Sequence, residues 1–187
     1  MAHASADAPF QPLDIAVLTV SDTRSLDNDQ SGDTLQQRLT DAGHNLSERL
    51  LVRDDIYEIR AVVSQWIANH DVPVVLVTGG TGFSSRDSTP EALLPLFDKT
   101  VEGYGELFRH LSFASIGTST IQSRAVAGLA NHTLICAMPG APRACALAWD
   151  EIIGPQLDIR HRPCNFVDQL RRQPRTPCTS RSLSGAA

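Results

Sequence analysis

The stretch Val74-Val75-Leu76-Val77-Thr78-Gly79-Gly80-Thr81-Gly82-Phe83-Ser84-Ser85-Arg86-Asp87 decides how the rest of the chain is read. Four apolar, mostly β-branched residues (Val74 to Val77) run without polar alternation, the pattern of a strand buried on both faces in the middle of a parallel sheet. Gly79, Gly80 and Gly82 end it. They tolerate positive φ and carry no Cβ, so successive backbone amides can turn toward one anion. Thr78 and Thr81 add hydroxyl donors. Asp87 lies five residues beyond Gly82, and a carboxylate beside a bound phosphate is favourable only with a cation between them. The stretch therefore predicts a phosphate site with a metal-binding acid at its edge.

Two familiar phosphate loops are excluded. A P-loop needs a Lys after its last Gly, and the chain's single Lys is Lys99. A dinucleotide fingerprint needs Gly at position 85, which is Ser85. The plain alternative, a tight turn with no ligand, stays open for Gly79–Gly82 taken alone.

Length and charge narrow the function further. A chain of 187 residues fits one domain, given roughly 100–200 residues per domain. No run approaches the ~20 apolar residues of a membrane span. Residues 1–12 hold no Lys or Arg and no apolar h-region, so they suit a flexible leader rather than a signal peptide. Residues 13–168 form the domain. Residues 169–187, rich in Arg, Pro, Ser and Thr, form a disordered tail whose cations are Arg171, Arg172, Arg175 and Arg181. Without those four, 12 basic residues face 21 acidic ones, a net charge of −9. So acidic a body argues against a nucleic-acid surface. Cys136, Cys145, Cys164 and Cys178 form no Cys-x-x-Cys pair and fit reduced thiols of a cytoplasmic protein. The histidines at 44, 70, 110, 132 and 161 share no metal spacing.

In chain order, Leu13 to Val20 is the first strand, ending at the polar cluster Ser21-Asp22-Thr23-Arg24. Ser31 caps a helix with Leu35, Leu39 and Ala42 on one stripe and Gly43 at C′. A strand near Leu46 to Val52 lies toward a sheet edge, and Asp54 follows it. Asp55 and Glu58 form a capping-box pattern ahead of Ile59, Val62, Val63, Trp66 and Ile67. Trp66 suits core or subunit packing. Past the glycines, Thr89-Pro90-Glu91 starts a helix with Pro90 at N1, or Ser88 with Glu91 caps it one residue earlier. Leu93, Leu94 and Leu96 point inward. A helix from about Gly105 to Phe113 places Leu107, Phe108 and Leu111 on one side, facing core or another subunit. Ala125 to Leu129 and Thr133 to Met138 form an antiparallel pair, because their connection is too short for a crossover. Pro142 to Ile153 is a last long helix, closed by Gly154-Pro155.

Alternating strands and helices predict an α/β fold: three layers, α/β/α, with a mostly parallel sheet and one antiparallel hairpin near the C-terminal part. Ligands of such sheets bind beyond the carboxyl ends of the strands. Ser21-Asp22, Asp54, Gly79–Gly82 with Asp87, and Pro139-Gly140 all fall there.

At these residues the chain resembles the MogA/MoaB family of molybdenum cofactor biosynthesis, the molybdopterin adenylyltransferases. The resemblance covers roughly Ile15 to Phe166. Its most specific part is Thr78-Gly-Gly-Thr-Gly-x-x-x-x-Asp87, continuing through Thr89-Pro90-Glu91-Ala92. Ser21-Asp22, Asp29-Gln30-Ser31-Gly32, Gly103-Tyr104-Gly105-Glu106, Ser123-Arg124 and Met138-Pro139-Gly140-Ala141-Pro142 support it. Glu102, Gly117-Thr118-Ser119-Thr120 and Arg162-Pro163-Cys164-Asn165-Phe166 look more like the MoaB branch.

The resemblance implies transfer of AMP from Mg-ATP to the terminal phosphate of molybdopterin, with pyrophosphate released, before molybdenum insertion. It implies Asp54 and Asp87 as catalytic and Mg²⁺-binding residues. Substrate and nucleotide contacts would come from Ser21, Asp22, Thr78, Gly79, Gly80, Thr81, Gly82, Ser123, Arg124, Pro139 and Gly140. It also implies a homotrimer or homohexamer and a downstream molybdenum-insertion enzyme. The chemistry agrees, since joining two polyanions calls for Mg²⁺ and amide donors rather than an acid–base pair. Arg86 and Arg124 are candidate phosphate contacts, or else solvated or interface arginines. The alternative function is a catalytically silent protein that binds molybdopterin or hands it over.

Overall fold

The computed structural model describes residues 8–69 and 71–170. The leader through residue 7, His70 and the Arg-rich tail from residue 171 lie outside the described residues. Strand β3 (Val74–Thr78) is buried along its whole length, as its unbroken apolar run requires. It lies between β1 (Asp14–Val20) and β6 (Thr133–Met138), parallel to both. Outside β1 runs the parallel edge strand β2 (Asn45–Val52). Antiparallel β5 (Val126–Ala130) and β4 (Lys99–Thr100) follow β6, giving the order β2-β1-β3-β6-β5-β4. The β5–β6 turn is the two-residue pair Asn131-His132, both at positive φ (47° and 69°), the geometry of a tight hairpin. Two-residue β4 is too short to carry a sequence pattern.

Helices cover both faces, because alternate residues of β1 and β3 point to opposite sides. On one face, Ile15, Val17 and Leu76 meet α1 (Gln30–Asp41), α4 (Glu102–Ile116) and α5 (Pro142–Ala148) through Leu35, Leu39, Phe108 and Cys145. On the other, Leu18, Val75 and Val77 meet α2 (Ile56–Ala68) and α3 (Thr89–Leu93) through Ile59, Val63, Trp66 and Leu93. Each fully buried aliphatic side chain contributes about 1.5–3 kcal/mol. Trp66 is a core residue, and its Nε1 donates to Glu48 Oε2 at 2.7 Å.

Several local expectations are corrected. Asp29, not Ser31, caps α1: its carboxylate accepts the Gly32 amide at 3.0 Å, while the Ser31 hydroxyl donates elsewhere. Gly43 does follow the helix at φ +88°, with the His44 and Gly43 amides donating to Leu39 and Thr40 in a Schellman arrangement. Ala42 is exposed at that end. Asp55 caps α2 by accepting from the Tyr57 and Glu58 amides, but Glu58 accepts from Arg53 instead of closing the box. Ser88 stands at the N-cap of α3, which puts Pro90 one position later than N1. Leu94 is 46 % exposed and does not point inward, whereas Leu107, 43 % exposed, lies on a helix side for which core and another subunit were both open. Helix α4 begins at Glu102, earlier than expected, and Gly105 lets it approach the residue ahead of β5, where a Cβ would sit 2.5 Å from the Ala125 carbonyl. The last helix is not closed by Gly154-Pro155. A π-turn at Trp149–Ile153 joins α5 to α6 (Gly154–Gln156), widening the helix just ahead of a proline that cannot donate. A short α7 (Val167–Leu170) follows.

Candidate functional site

The β1, β3 and β6 ends open onto one cavity of about 480 Å³. Its wall includes Ser21, Gly79 to Gly82, Asp87, Ser123, Pro139 and Gly140, so the turns after β1, β3 and β6 meet Ser123, three residues ahead of β5, whereas Asp22, Asp54, Thr78 and Arg124 lie outside that wall. The convergence follows from sheet order, since β3 leads straight into the floor with its two neighbours ending alongside.

The floor is a set of buried and half-buried backbone amides at Gly79 to Gly82. Gly79 takes φ +102° beneath the last turn of β1, where a Cβ would lie 2.1 Å from the Val20 carbonyl, and its amide donates to Met138. Gly80 accepts from the Thr89 amide, and Gly79 accepts from the Thr89 hydroxyl at 2.8 Å. The amides of Gly80, Thr81 and Gly82 have no protein acceptor among the described residues. Ser123 Oγ, in the same wall, is buried and has no partner there either. Buried polar atoms without partners cost about 1–3 kcal/mol each, and a polar ligand removes that cost.

Two carboxylates flank this floor, each held by one oxygen. Asp87 Oδ2 accepts the Ser84 amide at 2.7 Å and faces Gly82. Asp54 Oδ1 accepts the Ser88 hydroxyl at 2.7 Å and the Ser88 amide at 3.0 Å, and its Oδ2 faces Gly80. Asp87 Oδ1 and Asp54 Oδ2 have no donor among the described residues. No group of three or more His, Cys, Asp or Glu suited to a metal occurs among the described residues, and Asp54 and Asp87 are the two acids whose free oxygens face the glycines. Such a partial shell fits Mg²⁺, which keeps waters and takes its remaining oxygens from phosphate.

Other expected residues sit at the margin. Thr78 is fully buried, with its hydroxyl on the Pro139 carbonyl (3.2 Å) and Cys145 Sγ (3.1 Å), which faces it beneath the floor. Asp22 pairs with Arg86 at 2.8 Å. Arg124 spends its guanidinium on protein: Nε donates to Gly82 O at 2.7 Å, Nη2 to Asp87 O at 2.9 Å, and Nη1 to Glu91. It therefore braces the 82–87 loop from outside. Cys145 and Cys136 are inert, their thiols pushed by burial to about 11 and about 12.

Arg24, Ile116, Ser119 and Gln122 also line the cavity, and none of them is among the site residues expected from sequence. Arg24 sat within the polar cluster after β1. The other three lie in or beside an irregular 3₁₀ segment, Gly117–Gln122, which has no periodicity to mark a face.

A family model described as "Probable molybdopterin binding domain" matches residues 16–159. The chain belongs to this family. A relative named molybdenum cofactor biosynthesis protein B, from Escherichia coli strain K12, is 58% identical over 163 residues, covering 87% of this chain and 96% of its own. A crystal structure of a molybdenum cofactor biosynthesis protein B superposes with a TM-score of 0.76 at 39% identity, over 79% of this chain and 92% of that one. The tungsten cofactor synthesizing protein MoaB from Pyrococcus furiosus gives 0.71 at 31%, over 80% and 94%. These similarities span the described sheet, so the molybdopterin-binding family and the α/β architecture cover the same residues. Among the described residues no helix is long and apolar enough to cross a membrane.

Proposed function

We propose that the protein acts in molybdenum cofactor biosynthesis by adenylylating molybdopterin with Mg-ATP. One observation carries the reading: three partnerless amides, Gly80 to Gly82, lie between two half-free carboxylates. Amides welcome phosphate, bare carboxylates repel it, and the pair becomes productive with a divalent cation between them. Kinship with proteins named for molybdenum and tungsten cofactor synthesis supports the pterin phosphate as one substrate.

Asp54 and Asp87 would hold Mg²⁺, which supplies charge neutralisation at the α-phosphate and the departing pyrophosphate. The Gly80–Gly82 amides orient phosphate oxygens, and Arg124 and Ser88 keep loop and acids from moving as charge builds. A terminal phosphate oxygen of molybdopterin attacks the α-phosphorus of ATP. The new P–O–P bond replaces the bond to pyrophosphate. The attacking phosphate is already ionised near neutral pH, so the cavity needs no general base.

For assembly as a trimer or hexamer, the supporting feature is the run of exposed apolar residues Phe113 (57 %), Ile116 (53 %) and Ile121 (72 %). Ile116 also borders the cavity, which puts that contact beside the site. Cytoplasmic location and hand-over to a molybdenum-insertion enzyme belong to the same proposal. The test is product analysis of purified protein with molybdopterin, ATP and Mg²⁺. Adenylylated pterin and pyrophosphate support the enzyme, whereas pterin binding without ATP consumption selects the silent hand-over protein.

A further inference from the structure

We infer that Arg24 forms a second, metal-independent phosphate subsite, one that takes a phosphate monoester while the acid side takes the metal-bound triphosphate. The inference rests on the reading of the cavity as holding two phosphate-bearing substrates.

Arg24 is the sole cationic side chain in the cavity wall among the described residues. It is locked in place. The Ser21 hydroxyl accepts the Thr23 and Arg24 amides at 3.3 and 3.2 Å, turning the chain just past β1. Arg24 Nη2 donates to the Gly140 carbonyl at 2.8 Å and Nη1 to the Ser31 hydroxyl at 2.9 Å. Ser31 donates to the same carbonyl at 2.9 Å. Behind them the fully buried Asp29 lies 3.6 Å from Nη1, itself fixed by Thr19 at 2.6 Å and Arg49 at 3.0 Å. The guanidinium thus spans the β1 and β6 turns in front of Gly79, with Nε unpartnered among the described residues and 30 % of the side chain exposed.

Position separates this cation from Asp54. Ser31 belongs to α1, which packs on the Ile15/Leu76 face of the sheet. Asp54 and Ser88 precede α2 and α3, which pack on the Val75/Val77 face. Asp54 therefore reaches the glycine floor from the face opposite Arg24, while Asp87 shares the cavity wall with Arg24 and contacts the floor at Gly82. A phosphate on the Arg24 side meets a fixed positive charge and needs no metal, whereas one beside Asp54 or Asp87 does. Two polyanions are then seated by different means, and the monoester can enter first.

The test uses phenyl phosphate as probe, in EDTA and without nucleotide, so it is independent of whether any turnover occurs. Wild-type protein binds it, with a saturable shift of the Arg24 Nε–H resonance. Arg24→Gln weakens that binding about tenfold or more and leaves Mg-ATP binding within about twofold; Asp87→Asn has the opposite profile. Arg24→Lys retains part of the phenyl phosphate affinity. If Arg24→Gln does not fold, the wild-type resonance titration and the lysine variant decide the matter. Absence of phenyl phosphate binding in EDTA, an unshifted Arg24 resonance, or equal loss of both ligands in Arg24→Gln overturns the assignment.

Discussion

Asp87 and Gly82 are in mutual contact: Asp87 Oδ2 lies 2.8 Å from the point where a side chain on Gly82 would begin. The same oxygen is tied to the Ser84 amide, so the carboxylate has little room to retreat. Gly82→Ala therefore displaces the acid without removing it. Turnover should fall about 10²-fold, the usual cost of a misplacement near 1 Å, while far-UV circular dichroism is unchanged. Wild-type rates in that variant would show that Asp87 does not work from this position.

Asp54→Asn and Asp87→Asn keep shape and lose charge. Each should lower turnover by at least ~10²-fold, the loss seen when one electrostatic stabiliser is removed, and raise the Mg²⁺ concentration needed for half-maximal rate. EDTA should abolish turnover in the wild type, with recovery on adding Mg²⁺. Pyrophosphate release measured across a Mg²⁺ series checks all of these.

Arg124→Met removes the bonds to Gly82 and Asp87 while keeping much of the side-chain volume. Losing charge-assisted bonds of this kind costs about 1.5–3 kcal/mol. Thermal unfolding should show that loss, and Mg-ATP should bind more weakly because the loop is slack. Unchanged stability would mean that the brace carries no strain-bearing role.

His44 connects the start of the chain to the domain. Its Nδ1 accepts the Leu13 amide at 3.2 Å, its ring lies between Phe10 and Trp149, and Asp158 is the nearby acid, itself paired with Arg160. Burial lowers the imidazole below its ordinary 6.5, against the opposing pull of Asp158. A lowered folded value means that the unfolded chain binds the proton more readily. The stabilisation is therefore complete above 6.5 and declines as pH falls from there through the folded value. Between about pH 7 and pH 5, wild type should lose more thermal stability than His44→Phe, with faster exchange of the Leu13 amide. Parallel melting curves would contradict this.

How much of this was legible depends on where each signal resides. Strand β3 and its glycines were readable because burial on both faces leaves an unbroken apolar run, and Gly79 is needed wherever a turn presses on the Val20 carbonyl. The hairpin followed from a connection too short for a crossover. Asp29 was missed as a cap because its carboxylate is fixed by Thr19 and Arg49, partners 10 and 20 residues away. Arg124 looked like a phosphate contact because sequence shows a charge but not whether backbone carbonyls already occupy it. Arg24 was hidden for the converse reason: its clamp on Gly140 spans 116 residues of chain. Leu94 and Leu107 obeyed helical spacing yet face outward, since periodicity marks an apolar side without saying whether core or a partner covers it.

The proposed reaction joins two phosphates by means of cation-bridged acids beside a floor of unpartnered amides. Its most direct test is mass analysis of the pterin after incubation of the purified protein with molybdopterin, ATP and Mg²⁺. The expected result is a pterin carrying one added AMP and one pyrophosphate released per adduct, with neither formed in EDTA. Molybdopterin bound tightly and recovered unmodified, with ATP intact at every Mg²⁺ concentration, would contradict it.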